Sequence, residues 1–292
     1  MSIYMNNLCA ECFYRRWFQT IRNFGTEQQQ TEITKEIMNL FSQRKTPVTS
    51  AELGMLTDKA VREFFGLEQD RMKKEKDLSN RFALERLGDI EKRVEGQKDP
   101  VFAALQFAVL GNYLDFSALQ GKVSFADLEK MLDEAQKMDL SKDTYGQFCA
   151  DLQKGKRLLY ITDNAGEIVF DRVLAQQLKK VYPHLEITFL VRGGPMSNDA
   201  TREDAQVAGV EFPVIDSGVA MGGILKDLIS EEAKKAMENA DVILAKGMGN
   251  TESMLGCGYN VYYAFLVKCA RFVEAFNKPL MTPMFVSEKS AR

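Results

Sequence analysis

Histidine is almost missing from this sequence: the chain has one, His184, in 292 residues. It stands in Val181-Tyr182-Pro183-His184-Leu185, which reads as a loop between a helix and the next strand. In an α/β unit that end lies opposite the edge where active sites form. The scarcity argues against Ser-His-Asp or Cys-His catalysis and against a His-rich metal site. Cysteine is also sparse. There are five, Cys9, Cys12, Cys149, Cys257 and Cys269, an odd number in a long chain, so no disulfide framework is expected. Cys9 and Cys12 form a lone CxxC without the second ligand pair that structural zinc needs. They read as a redox pair, half of a metal site, or two small apolar residues on one face of a first helix, and the last is expected. No apolar run approaches the roughly 20 residues of a membrane span. The first residues lack the basic start and apolar core of a signal peptide, so the cytoplasm is the expected compartment. A net charge of -3 argues against a nucleic-acid binder driven by phosphate contacts.

What is present is an ordinary globular composition, 45% hydrophobic and 27% charged, long enough for one large or two average domains. The first half reads as helical. Ile33, Ile37, Leu40 and Phe41 recur at helical spacing, as do Val101, Ala104, Leu105, Ala108 and Val109 after Asp99-Pro100, a good helix start. Ser124 reads as an N-cap for a helix burying Leu128, Met131, Leu132 and Ala135. Residues 70–95 are heavily charged and read as a solvated helix face. The second half changes character. Strand-like runs fall at Arg157–Thr162, Glu186–Val191, Glu211–Ile215, Asp241–Ala245 and Pro279–Val286, with helices expected at 168–181, 201–208, 222–239 and 259–276. This alternation predicts a mainly parallel, doubly wound sheet. The expected domains are 1–148, all-helical, and 149–292, α/β.

Leu158 to Ile161 is an apolar strand run that breaks into Thr162-Asp163-Asn164-Ala165-Gly166. It continues as an amphipathic helix with Val169, Phe170, Val173, Leu174, Leu178 and Val181 on one face. Further polar clusters follow the later strands: Arg192 to Thr201, Asp216-Ser217-Gly218, and Lys246 to Glu252. In a parallel sheet these loops converge on one edge. Asp163, Asn164 and Asp199 offer hard oxygen ligands to a divalent cation. Lys246 is a point charge suited to phosphate. Gly193, Gly194, Gly247 and Gly249 let backbone N–H groups approach an anion. Each residue also has a plain structural reading: Asp163, Asn164 or Asp199 as a helix cap, Lys246 as a solvated strand-end lysine, Glu167 as a first-turn acid. Their convergence favours a site for phosphoryl chemistry.

A dinucleotide fold wants G-x-G-x-x-G after its first strand, and residues 163–166 do not supply it; a Walker A loop is absent too. Asp163 as an aspartyl-phosphate nucleophile is conceivable. The double-aspartate pattern usual for such phosphatases is missing, since Asn164 and Ala165 follow.

Three motifs in this order, Asp163-Asn164-Ala165-Gly166-Glu167-Ile168-Val169-Phe170-Asp171, Arg192-Gly193-Gly194-Pro195 with Asn198-Asp199-Ala200-Thr201, and Lys246-Gly247-Met248-Gly249-Asn250-Thr251-Glu252, resemble the metal-dependent damage-control phosphatases catalogued as domain of unknown function 89, closest to the shorter prokaryotic branch. Cys9-Ala10-Glu11-Cys12 and Gly111 to Phe116 match more weakly. The resemblance implies an all-helical N-terminal domain covering the active site and a Rossmann-like C-terminal domain. It implies a divalent metal (Mn²⁺, Co²⁺, Ni²⁺ or Mg²⁺) held at Asp163, Asn164 and Asp199, and Lys246 as a phosphate contact. Glu167, Arg192, Gly247, Asn250, Asn112 and Asp115 are the expected substrate-binding positions, with Asn112–Asp115 closing over the pocket. In longer eukaryotic relatives an acidic residue thought to contact substrate falls one place later than Glu167, where this chain has Ile168. The expected activity is metal-dependent hydrolysis of phosphate monoesters of small metabolites, sugar phosphates or damaged phosphometabolites, with no nucleic-acid or membrane partner. The alternatives are an S-adenosylmethionine-dependent carboxyl methyltransferase and a phosphometabolite-binding protein without turnover.

Overall fold

The structure is a computed structural model that describes residues 3–45, 47–114, 130 and 132–290. Five helices come first: α1 (Asn7–Ile21), α2 (Glu27–Ser42), α3 (Ser50–Phe65), α4 (Lys73–Glu95) and α5 (Pro100–Gly111). Their starts are written in the sequence. The Asn6 side chain accepts from Cys9 N at 3.1 Å, Thr26 and Gln29 form a reciprocal capping box, and Asp99 accepts from Phe102 N at 3.0 Å ahead of Pro100. A short 3-10 turn, Asn112–Leu114, follows α5. Leu132 and Ala135 are buried as expected; Ser124, Leu128 and Met131 lie outside the described residues.

After α6 (Lys142–Lys154) strands alternate with helices: β1 (Arg157–Ile161), α7 (Glu167–Val181), β2 (Glu186–Val191), α8 (Arg202–Val207), β3 (Val214–Asp216), α9 (Glu231–Asn239), β4 (Val242–Lys246), α10 (Gly247–Met254), β5 (Val261–Leu266), α11 (Ala270–Phe276) and β6 (Pro283–Ser287). They build one six-stranded sheet in the order β3-β2-β1-β4-β5-β6. All neighbours are parallel except β6, which runs antiparallel to β5 with Ala264 opposite Phe285. The chain steps outward from β1 through β2 to β3, then returns to lay β4 on the other side of β1. The crevice between the carboxyl ends of β1 and β4 is therefore the switch point where such sheets bind ligands. The fold is mixed α/β with helices flanking a mostly parallel sheet.

Four expectations are corrected. Residues 261–266 are not the front of a helix spanning 259–276; Val-Tyr-Tyr-Ala-Phe-Leu forms the fully buried strand β5, and the helix begins only at Ala270. An apolar run of six carries no period, and its β-branched and aromatic residues suit a strand covered on both faces. Residues 222–230 are not helical, and α9 starts after the Ser230 cap. Val181 ends α7 exposed rather than on its apolar face. The 70–95 charge run is not a uniformly solvated face: Lys76, Ser79, Asn80, Phe82, Ala83, Ile90 and Val94 of α4 are all buried.

Two apolar layers sandwich the sheet. One joins α4 and α5 (Phe82, Ile90, Phe107, Val109) to Tyr160, Phe189, Ile168 and Phe170 without interruption. The other joins Ile161, Leu190, Ile243, Tyr263 and Phe265 to Met254 and Phe272. A smaller core of Phe13, Ile21, Ile33, Ile37, Leu53 and Val61 holds α1–α3 together. Cys9 and Cys12 sit half-buried on α1 as expected, and both are free thiols. His184 is exposed in the turn before β2, with Nε2 3.2 Å from Leu152 O. Among the described residues no helix is long and apolar enough to cross a membrane.

Candidate active site

The loops after β1 and β2 are tied into a short ladder beyond the sheet. Ala200 N donates to Asp163 O at 2.8 Å, Ala165 N donates to Asn198 O at 2.9 Å, and Asn164 and Asp199 face each other as an isolated antiparallel bridge. Arg192 N donates to Ala200 O at 2.9 Å and closes the base of the second loop. Asp163, Asn164 and Asp199 are thus neighbours, all buried, at the switch point. Gly247 opens α10 across the crevice at φ +80, and a Cβ there would fall on the Asp163 carboxylate. Glycine at this position is what lets the carboxylate lie against the start of α10.

A second tier lies behind these residues. Asn112, at the end of α5, donates through Nδ2 to Asp163 Oδ2 at 2.8 Å and to Glu167 Oε2 at 2.9 Å. Asn164 Nδ2 donates to the same two oxygens, each at 2.8 Å. Lys246 Nζ then holds Glu167 Oε1 and Asp171 Oδ1, both at 2.7 Å, and Ala108 O at 2.8 Å. Tyr160 donates its hydroxyl to Asp171 Oδ1 at 2.8 Å, while Asp171 Oδ2 has no hydrogen-bond partner. Lys246, Glu167, Asp171 and Tyr160 are sealed from solvent. Burial pushes the Asp171 carboxyl up to about 7; Lys246 lowers it and Glu167 raises it. Burial also holds Lys246 down, but its two carboxylates outweigh this and push the ammonium above its ordinary range.

On the other side, Arg192 is 2% exposed. Its Nε donates to Asp199 Oδ2 at 2.5 Å, its Nη1 donates to Asn250 Oδ1 at 2.9 Å, and its Nη2 lies buried without a hydrogen-bond partner, 3.7 Å from Asp163 Oδ1. Asn250 Nδ2 donates to Thr162 O at 2.9 Å and Lys246 O at 2.6 Å, so it locks the ends of β1 and β4 to Arg192. Asp163 is pushed well above the usual carboxylate range, first by burial, then by Glu167 and Asp199, against the pull of Arg192 and Lys268.

Of the expected site residues, Asp163, Asn164, Glu167, Arg192, Asp199, Lys246, Gly247, Asn250 and Asn112 converge here, and Asp115 lies outside the described residues. Ile168 points into the apolar core, so Glu167 is the acidic side chain that faces this cluster. Lys246 has all three donors directed at protein acceptors, and contact with a phosphate requires one of them to be exchanged. Lys268 was not foreseen. It follows β5, donates Nζ to Asn112 O at 2.5 Å and bears on Asp163. Reading β5 as helix hid the fifth loop of the sheet edge. Asp171 ends the motif that begins at Asp163, and its burial beside Lys246 has no local signal in the sequence; Asn80 stands within the 70–95 charge run.

The donor chemistry fits a hard divalent cation. Among the described residues no group of three or more His, Cys, Asp and Glu side chains is arranged to hold a metal. The expected trio contains only two such residues, Asp163 and Asp199, its third member being Asn164. Within the cluster four carboxylates (Asp163, Asp199, Glu167, Asp171) face three cations (Lys246, Arg192, Lys268). Burial first, and then the neighbouring Glu167 and Asp199 carboxylates, raise Asp163, and a bound cation would offset both by favouring its ionised form.

The sequence matches the family described as "Damage-control phosphatase ARMT1-like domain" over residues 5–282. It is 32% identical over 257 residues to a damage-control phosphatase of Archaeoglobus fulgidus, covering 85% of this chain and 86% of the relative. It is 33% identical over 181 residues to a damage-control phosphatase of Pyrococcus horikoshii, covering 60% and 61%. An uncharacterized protein of Methanocaldococcus jannaschii is 30% identical over 288 residues, 94% and 92% of the two chains. The crystal structure of a DUF89 family protein from Pyrococcus horikoshii superimposes with a TM-score of 0.83 at 25% identity, covering 98% of this chain and 99% of that one. The motifs, the sheet edge that gathers them and these matches agree, and the chain belongs to the damage-control phosphatase family with the ARMT1-like domain.

Proposed function

We propose that the site hydrolyses phosphate monoesters of small metabolites in the cytoplasm with a divalent cation held by Asp163, Asn164 and Asp199. The observation that carries this is the two-loop ladder, which places three oxygen-bearing side chains together where a parallel sheet reverses its strand order. When bound, the metal supplies positive charge to phosphoryl oxygens and lowers the pKa of water.

The protein groups have separable tasks. Asn112 and Asn164 amides orient the Asp163 and Glu167 carboxylates, leaving Asp163 Oδ1 free of these amides and directed towards Arg192 Nη2. Arg192 orients Asp199 and is itself fixed by Asn250. Lys246 places positive charge behind Glu167. Lys268 and the backbone N–H groups that open α10 complete an electropositive wall for a phosphate. The contact of Asn112 with Asp163 supports reading segment 1–148 as a helical cover over the site. The 3-2-1-4-5 run of parallel strands supports a Rossmann-like unit in 149–292.

The test is phosphate release from a panel of sugar and cofactor phosphates with Mn²⁺, Co²⁺, Ni²⁺ or Mg²⁺, repeated with a chelator. Release that vanishes with the chelator is the expected result and begins to rank substrates. No release with any metal would overturn the reading. A melting shift with S-adenosylmethionine would then point to methyl transfer, and a shift with phosphometabolites to binding without turnover.

A further inference from the structure

We propose that Asn80, on α4, is a positioning residue that holds the two ligand-bearing loops in register. The inference rests on the metal reading above. Asn80 is 1% exposed and faces two separate loops with its one amide. Its Oδ1 accepts from Gly166 N at 2.6 Å, at the turn that carries Asp163 and Asn164 into α7. Its Nδ2 donates to Asp204 Oδ1 at 2.9 Å, in the first turn of α8, just beyond Asp199. Asp204 Oδ2 in turn accepts from Thr201 N at 2.9 Å and from Thr201 Oγ1 at 2.8 Å. Lys76, one turn before Asn80, closes the network with Nζ 2.8 Å from Asp204 Oδ2 and 3.1 Å from Asp70 Oδ2.

Gly166 shows how close the approach is. It stands at φ +78, and a Cβ there would meet the Ser79 carbonyl carbon and oxygen at 2.8 Å. The backbone of α4 is thus pressed against the turn, and the amide beside it spans the gap to the second loop. The loops are joined to each other at their ligand ends by the Asn164–Asp199 bridge and at their far ends by Asn80 and Asp204. Without Asn80, Gly166 N and Asp204 Oδ1 lose a buried partner, and the far ends are free to separate. Groups hydrogen-bonded to the ligands themselves typically control metal affinity by about 10–100-fold; Asn80 acts one step further out, through Gly166 and Asp204, so its effect falls at the low end of that range.

The experiment measures Mn²⁺ binding directly, from the resonance signal of the free ion, on wild type, N80A, N80S and K73A, each first shown to melt cooperatively. Lys73 shares α4 but is an exposed lysine paired with Asp77 and Glu203, and K73A should bind as wild type does. N80A is expected to raise the Mn²⁺ dissociation constant about 10-fold, the low end of what partners of the ligands themselves command. Phosphate release should recover when Mn²⁺ is raised by the same factor, with an unchanged KM for substrate at saturating metal. N80S keeps an acceptor but loses reach to Asp204, so it should shift the same way by less. It carries the test if N80A does not fold. A folded Asn80 variant with wild-type Mn²⁺ affinity, or one whose activity stays low at saturating Mn²⁺, would overturn the inference, as would failure of both variants to fold. Absence of Mn²⁺ binding in the wild type would refute the metal reading and this inference together.

Discussion

Replacing Lys246 with methionine separates the two roles open to that lysine. Its ammonium is sealed from solvent, with Glu167 and Asp171 each 2.7 Å away. Methionine keeps most of the volume but leaves two buried carboxylates without their cation. Breaking a buried pair from one side costs about 3–5 kcal/mol, a large part of a typical total stability of about 5–15 kcal/mol. Protonation relieves some of this at about 1.4 kcal/mol per pH unit. Removing Lys246 takes away the main influence that lowers the Asp171 carboxyl, which already stands at about 7 with the lysine in place. A folded pKa held above its unfolded value contributes stability that is lost as pH rises. The gap between K246M and wild type in urea unfolding should therefore widen above about pH 7, where wild-type Asp171 gives up its proton and the variant's does not, by about 1.4 kcal/mol per pH unit, reaching about 3 kcal/mol by pH 9. The double variant K246M/D171N, with one carboxylate fewer, should recover part of it. If K246M unfolds within about 1 kcal/mol of wild type at pH 9 yet has lost phosphate release, the buried charge network is the wrong account, and Lys246 faces the substrate.

Three further outcomes follow from the same geometry. D199N should abolish metal-dependent phosphate release while the protein still melts cooperatively, because Arg192 keeps Asn250 and can still meet an amide oxygen at position 199; full activity in D199N would sink the ligand assignment. Comparing wild type with D171N isolates the Asp171 titration. With a folded value of about 7 against 3.8, wild type should lose up to about 4 kcal/mol relative to D171N as pH rises from 4 to 7, and a flat difference in urea unfolding would refute that burial. G247A forces a side chain onto φ +80 and into the Asp163 carboxylate, so it should lower stability by more than about 1 kcal/mol and abolish activity; wild-type turnover would show that Asp163 does not lie against α10.

The parts of the fold legible from sequence were those with a local signature. The run Leu158–Ile161 ending in a polar turn, the Asp99-Pro100 helix start, and the separate polar clusters after four strands each carry their meaning within a few residues. Their convergence followed from one rule about parallel sheets. What escaped depends on distant chain. Val261–Leu266 has no period to distinguish a covered strand from a buried helix, and misreading it removed Lys268 from view. Asn80 and Lys76 sit among solvated charges, and nothing within α4 marks that one face meets the turn at Gly166. Asn112, by contrast, was reached only through resemblance, since its amide acts on Asp163 from 51 positions away.

The antiparallel bridge between Asn164 and Asp199 also separates geometry from loop length. The spacing of Asp163, Asn164 and Asp199 is set by two backbone rungs, Ala200 to Asp163 and Ala165 to Asn198, with Arg192 to Ala200 as the base. Residues 193–197 form an excursion leaving and rejoining that frame. The geometry proposed for the metal is thus inherited from the sheet, while residues 194–197 lie outside the rungs that set it. On the proposed reading, a change of length between Arg192 and Asn198 would alter what the rim admits without moving the rungs that set Asp163, Asn164 and Asp199.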